Sequence, residues 1–123
     1  MLIKQVSDHN VIQSATCGTV REILTGDEYK PFGLAVCYDI KPTTAHYHKT
    51  FDETYFVLDG EIELELYDPV HKNRSRQLLK ANEAAVISKG IHHKISKSTP
   101  SNRLAVISAP PFHADDETPS DIL

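Results

Sequence analysis

Between residues 61 and 66 the sequence alternates strictly: Glu61, Glu63 and Glu65 interleave with Ile62, Leu64 and Leu66. Side chains two apart on a strand share a face, so this run predicts a strand with a solvated acidic face and an aliphatic core face. Further short β-rich runs lie at 19–24, 34–40, 45–48, 53–58, 61–67, 77–79, 84–88, 92–96 and 104–108, punctuated by Gly, Pro, Asp and Asn. Residues 11–16 read as an added edge strand or a loop, and the polar stretch 68–76 reads as a loop. Asp59-Gly60 is a favoured two-residue hairpin connection between two such runs. No long segment carries the helical period. The pattern predicts an all-β chain, a sandwich or a barrel.

Length changes this picture little: 123 residues suit one domain with its own core. The barrel core is expected over about 17–109. Pro110-Pro111 stops the last strand, and the Pro-, Asp- and Glu-rich residues 110–123 read as an irregular tail. In the run 53–58, Thr54, Phe56 and Leu58 form a second face, which calls for another sheet or a partner chain beyond it.

Charge and composition exclude some partners. The formal charge is −4, so there is no basic face for nucleic acid or anionic lipid. No apolar run reaches membrane-span length and the first residues do not resemble a signal peptide, so a cytoplasmic protein is expected. Cys17 and Cys37 form no CxxC motif and read as two buried thiols rather than a disulfide.

The unusual count is seven histidines. His9, His71 and His113 sit in polar, loop-like stretches and carry no argument. His46 and His48 lie two apart on one expected strand, so both imidazoles point the same way. Glu53 follows a short polar turn and opens the next strand, facing the same way as Tyr55 and Val57. His92 and His93 are adjacent and must point to opposite faces. Ile91 and Ile95 share the face of His93, which marks His93 as inward and His92 as a rim or surface residue. Three imidazoles and a carboxylate turned into a core need compensation, and a metal ion supplies it.

The segment HYHKTFDETYFVLDG resembles the first cupin motif (HxH, four residues, Glu, six residues, Gly) through His46, His48, Glu53 and Gly60. The segment NEAAVISKGIHH resembles the second cupin motif, with Gly90 and His93 in its GxxH core. Where that family's pattern usually has glycine or proline, this chain has Ile40, Asn82 and Ser88, and Lys97 replaces an expected asparagine. Asn at 82 tolerates the left-handed backbone that glycine usually fills. The resemblance implies a cupin jelly-roll β-barrel, a homodimer, and a metal held by His46, His48, Glu53 and His93.

That ligand set suits one divalent transition ion: Fe, Mn, Ni, Co, Cu or Zn. In an octahedral field it leaves two positions open for a small-molecule substrate. Cupins with these ligands resemble dioxygenases, decarboxylases, isomerases and lyases. A metal-dependent enzyme, first of all a dioxygenase, is the leading expectation, with Glu53 as ligand or base. Tyr55 and Tyr38 are candidate catalytic wall residues, Tyr38 because it alternates with Leu34, Val36 and Ile40. Arg21 and Arg103 could grip a substrate carboxylate but suit the surface as well. A non-catalytic metal- or ligand-binding module is the alternative, and a metal-free sugar epimerase working through His and Tyr is a third.

Overall fold

The computed structural model of the chain describes residues 1–6 and 11–123, so His9 lies outside the described residues. Among the described residues eleven strands appear in chain order. They are β1 (Ile12–Ser14), β2 (Gly18–Leu24), β3 (Gly33–Tyr38), β4 (His46–Tyr47), β5 (Asp52–Asp59) and β6 (Glu61–Asp68). After these come β7 (Asn73–Lys80), β8 (Ala84–Ile87), β9 (His92–Ser98), β10 (Arg103–Ala109) and β11 (Thr118–Pro119). They form two antiparallel sheets, one ordered β1-β2-β3-β10-β5-β8 and the other β11-β4-β9-β6-β7. The all-β class is as the alternation predicts. Among the described residues no helix is long and apolar enough to cross a membrane.

The core lies between the two sheets. Cys37, Tyr55, Val57, Ile87, Leu104 and Val106 project from the first, and Ile62, Leu64, Leu79 and Ile95 from the second. Along β5 burial alternates with period two: Glu53, Tyr55 and Val57 are buried while Thr54, Phe56 and Leu58 are half-buried on the outer face. The β5–β6 hairpin turns at Gly60, whose φ of 76° suits glycine. A Cβ there would also sit 2.3 Å from the Ser101 carbonyl oxygen, which no side chain tolerates. Asn82 has φ 71°, the left-handed backbone its place in the motif requires.

Three expectations need correction. The loop expected over 68–76 is a four-residue turn, because β7 already starts at Asn73 and pairs in register with β6 as far as Asp68. Asp68 builds the turn, its Oδ1 accepting from the backbone N–H of Val70 at 2.8 Å and of His71 at 3.3 Å. Asn73 to Arg76 hid in the sequence because they are exposed on an edge strand, where neither face needs apolar residues.

The tail after Pro110 is not irregular throughout. A 3-10 turn at Ala114–Asp116 leads into β11, which pairs Thr118 with Tyr47 and Pro119 with His46. Phe112 packs edge-on against Phe51 with ring centres 5.8 Å apart.

Tyr38 does not face inward. On β3, Gly33, Leu34, Ala35 and Cys37 border the cavity and Cys37 belongs to the core, whereas Tyr38 does neither. Tyr38 shares the other face with Val36 and accepts a hydrogen bond from Arg21 Nε at 3.1 Å. The parity error arises at Asp39, whose φ of 51° breaks the alternation and lets the next residue, Ile40, turn back into the core.

Candidate metal centre

Three strands of two sheets converge on one point. His46 comes from β4, Glu53 is the second residue of β5 on the opposing sheet, and His93 sits on β9 directly across the ladder from His46. His48 follows β4 in the connection to β5. All four side chains are buried, and one donor atom from each lies within 4.8 Å of every other. Glu53 Oε1 is 3.3 Å from His93 Nε2, and Glu53 Oε2 is 3.6 Å from His48 Nε2.

The other ring nitrogens decide which way the imidazoles are wired. His46 Nδ1 lies 3.2 Å from the Thr44 carbonyl oxygen, His48 Nδ1 2.7 Å from that of Asp116, and His93 Nδ1 3.0 Å from that of Ile91. A carbonyl only accepts, so each Nδ1 carries the proton and donates it. Each Nε2 is then left with its lone pair facing the shared point. Among the described residues, His48 Nε2, His93 Nε2 and Glu53 Oε1 are buried without any hydrogen-bond partner. Leaving such atoms orphaned costs roughly 1–3 kcal/mol each, and more where charged. Four donors about 2.1 Å from one ion span at most about 4.2 Å, so a shift of a few tenths of an ångström closes this set on a metal. The residues fit a divalent ion.

Electrostatics agree with that geometry. Burial, together with the nearby charges of His93 and His48, lowers His46 to about 4, which keeps it a neutral ligand. Burial pulls His48 down as well, but contact with the Glu53 carboxylate outweighs it and leaves the imidazole above its ordinary value. Burial would raise Glu53, yet the adjacent His48 and His93 imidazoles hold it far below the usual carboxylate range. A metal ion bound here would compete with the proton that the Glu53 carboxylate draws onto His48.

The C-terminal tail completes the site. Besides the carbonyl that holds His48, Asp116 offers its carboxylate to the loop that follows. Oδ1 accepts from Lys49 N at 2.8 Å, and Oδ2 from Thr50 N at 2.8 Å and Thr50 Oγ1 at 2.6 Å. The neighbouring Glu117 places Oε1 4.0 Å from His46 Nε2 and accepts a hydrogen bond from Thr16 Oγ1 at 2.7 Å. Neither acid belonged to the sequence-derived site. Nothing in residues 110–123 distinguishes them from ordinary solvated tail acids, and they lie more than sixty positions beyond His48.

A cavity of about 390 Å³ opens beside His46 and Glu53, within the roughly 300–1,000 Å³ usual for small-molecule sites. Tyr55 lines it and is fully buried, its hydroxyl held protonated by burial and by the nearby Glu53 charge. Cys17 and Cys37 are free thiols in the same wall, with sulfurs 2.6 Å apart.

Tyr38, Arg21 and Arg103 are not brought to the cluster. Arg103 is paired with Asp59 at an exposed position. His92 requires a correction too. It does face away from His93 but is buried, because the tail roofs that side of the sheet. Its ring stacks on Tyr47 with centres 4.2 Å apart, and Nδ1 lies 2.6 Å from Ser120 Oγ.

Solved structures share this arrangement of strands. A protein from Planctomyces limnophilus superposes with a TM-score of 0.78 at 23% identity, over 96% of this chain and 95% of that one. Ectoine synthase from P. lautus superposes with a TM-score of 0.78 at 16% identity, over 100% of this chain and 96% of that one. The chain has the cupin fold. Bacillus subtilis oxalate decarboxylase, another cupin-fold protein, matches with a TM-score of 0.80 at 17% identity. The match covers 96% of this chain but only 32% of the decarboxylase, so the chain spans about a third of that enzyme's length. Mn(II) centres are described for that decarboxylase. No family model and no curated protein matches the sequence.

Proposed function

We propose that this cupin-fold chain is a metal-dependent enzyme acting on a small organic molecule, with a dioxygen-using reaction as the first reaction to test. The observation that carries this reading is the wiring of His46, His48 and His93. Their Nδ1 atoms are occupied by backbone carbonyls while their Nε2 atoms and a Glu53 oxygen converge beside a cavity. A backbone that fixes three tautomers in one sense is built to present lone pairs to a cation. The donor set suits a first-row divalent ion, and the Mn(II) centres of the decarboxylase support that class.

When bound, the ion supplies Lewis-acid polarisation of a substrate oxygen and open positions for exchange. The chain's own groups do the rest. His46 and Glu53 border the cavity and orient whatever enters next to the ligand set. Tyr55 keeps its phenolic proton and offers it as a hydrogen-bond donor to a ligand oxygen or to Glu53. Glu53, held as carboxylate by two imidazoles, is the available proton acceptor at the site. The apolar walls exclude water, which strengthens each of these interactions.

We further propose a closed jelly-roll barrel and a homodimer, with the half-buried outer face of β5 at the subunit contact. Phe56 and Leu58 lie on that face, and Val86 beside them is 68% exposed. A sedimentation mass near the 13.8 kDa of one chain would rule the dimer out.

The functional test is turnover of small phenols, enols, organic acids and sugars under air, with the protein stripped of metal and then reloaded with Fe(II) or Mn(II). Metal-dependent turnover or oxygen uptake supports the enzyme. Tight ligand binding without turnover supports a binding module instead, and full activity of stripped protein supports the epimerase-type chemistry.

A further inference from the structure

The cavity wall is charged in one sense only. Glu22, Glu53 and Glu117 line it, and among the described residues no lysine or arginine does. A divalent ion carries two positive charges against three carboxylates, so even a loaded cavity stays net negative. The remaining wall is largely apolar, including Val20, Leu24, Ala35, Val106 and Phe112. Beside these apolar walls, that charge acts on an entering molecule with less screening than at an open surface.

From this wall we infer that the site takes a neutral or cationic molecule with an apolar body, that it discriminates against carboxylates, and that Glu117 receives the cationic or donor end. This rests on the small-molecule site proposed above. Three placements support it. Glu53 is buried in the cavity wall, so the pocket already holds a carboxylate that any entering anion must face. Glu117 is held by Thr16 with its carboxylate 4.0 Å from His46 Nε2, half-buried beside the four-residue cluster. The arginines that sequence alone offered for an anion are engaged elsewhere, Arg21 with Tyr38 and Arg103 with Asp59. An anion entering here would meet three acids and no fixed cation but the metal. An amine or alcohol would meet acceptors.

The test uses three probes with one body and different heads: phenethylamine (a cation at neutral pH), 2-phenylethanol and phenylacetate. Affinity is read by titration calorimetry on the full chain, and the metal content of the same sample is read by elemental analysis. The amine and the alcohol are expected to bind at least about tenfold more tightly than phenylacetate, the scale of one lost charged contact. Glu117→Gln is expected to keep its metal and lose about tenfold in preference for the amine over the alcohol. Thr16→Val, which removes the hydroxyl that fixes Glu117, is expected to shift the preference the same way. Phenylacetate binding as tightly as the amine, no binding of any probe at millimolar concentration, or an unchanged preference in both variants would overturn the assignment. A sample without metal would count against the metal centre but not against this inference. The stripped cavity keeps its three carboxylates, so its bias against phenylacetate should then be larger.

Discussion

Replacing Asp116 by alanine isolates the part of the site that the tail contributes. The carboxylate accepts three hydrogen bonds, from Lys49 N, Thr50 N and Thr50 Oγ1, and ties the tail to the loop after His48. Burial works against its charged form, but the bonds from Thr50 and Lys49 outweigh it and hold the carboxyl below its usual range. At about 1 kcal/mol for each bond, Asp116→Ala should cost the metal-free protein about 2–4 kcal/mol. That corresponds to a melting temperature lower by roughly 10 °C for a domain of this size. His48 takes its Nδ1 acceptor from the Asp116 backbone, so loosening this residue also disorients a ligand. Metal affinity should then fall about 10- to 100-fold, as it does when outer-shell partners are removed. Urea denaturation of stripped protein reads the first effect, and competition against a chromophoric chelator reads the second. Asp116→Asn keeps an acceptor oxygen and should lose less of both. A stability change under about 0.5 kcal/mol with unaltered metal affinity would refute the claim that the tail holds the site together.

Two further predictions follow from neighbouring groups. His46 is lowered from an unfolded value near 6.5 to about 4, so the unfolded chain binds the extra proton first as pH falls. Metal-free wild type should therefore lose about 3 kcal/mol relative to His46→Asn between pH 6.5 and 4, with no further relative loss below that window, and a flat difference in denaturant titrations would contradict it. Cys17 and Cys37, with sulfurs 2.6 Å apart, should be joined by diamide, which is reduced to its hydrazine as the two thiols form a disulfide. Thiol titration in denaturant should then find both thiols gone, whereas two titratable thiols persisting after treatment would show that the pair cannot close.

The fold class and the convergence of His46, His48, Glu53 and His93 were legible because both rest on strand parity. His46 and His48 at i and i+2, Glu53 after a short turn, and His93 flanked by Ile91 and Ile95 each point one way if the strands are regular, and there they are. Parity also explains the failure at Tyr38, since one left-handed residue, Asp39, reverses the face and leaves no trace in the hydrophobic pattern. Asn73 to Arg76 looked like a loop because an edge strand exposed on both faces carries no apolar alternation. The tail was opaque for a different reason. Its strand is two residues long, and Asp116 and Glu117 matter through contacts with Thr50, His48 and Thr16, all distant in sequence. Local pattern carries no information about such pairings, and burial of His92 depends on the same unseen cover.

The most direct test of the account is metal stoichiometry. Protein stripped with chelator is dialysed against micromolar Mn(II), Fe(II) or Co(II) and analysed for bound metal, beside His48→Ala and Glu53→Gln. The account predicts one tightly held ion per wild-type chain, proton release on binding, and sharp loss of metal in both variants. Wild-type protein that stays empty, or variants that bind as well as wild type, would contradict it.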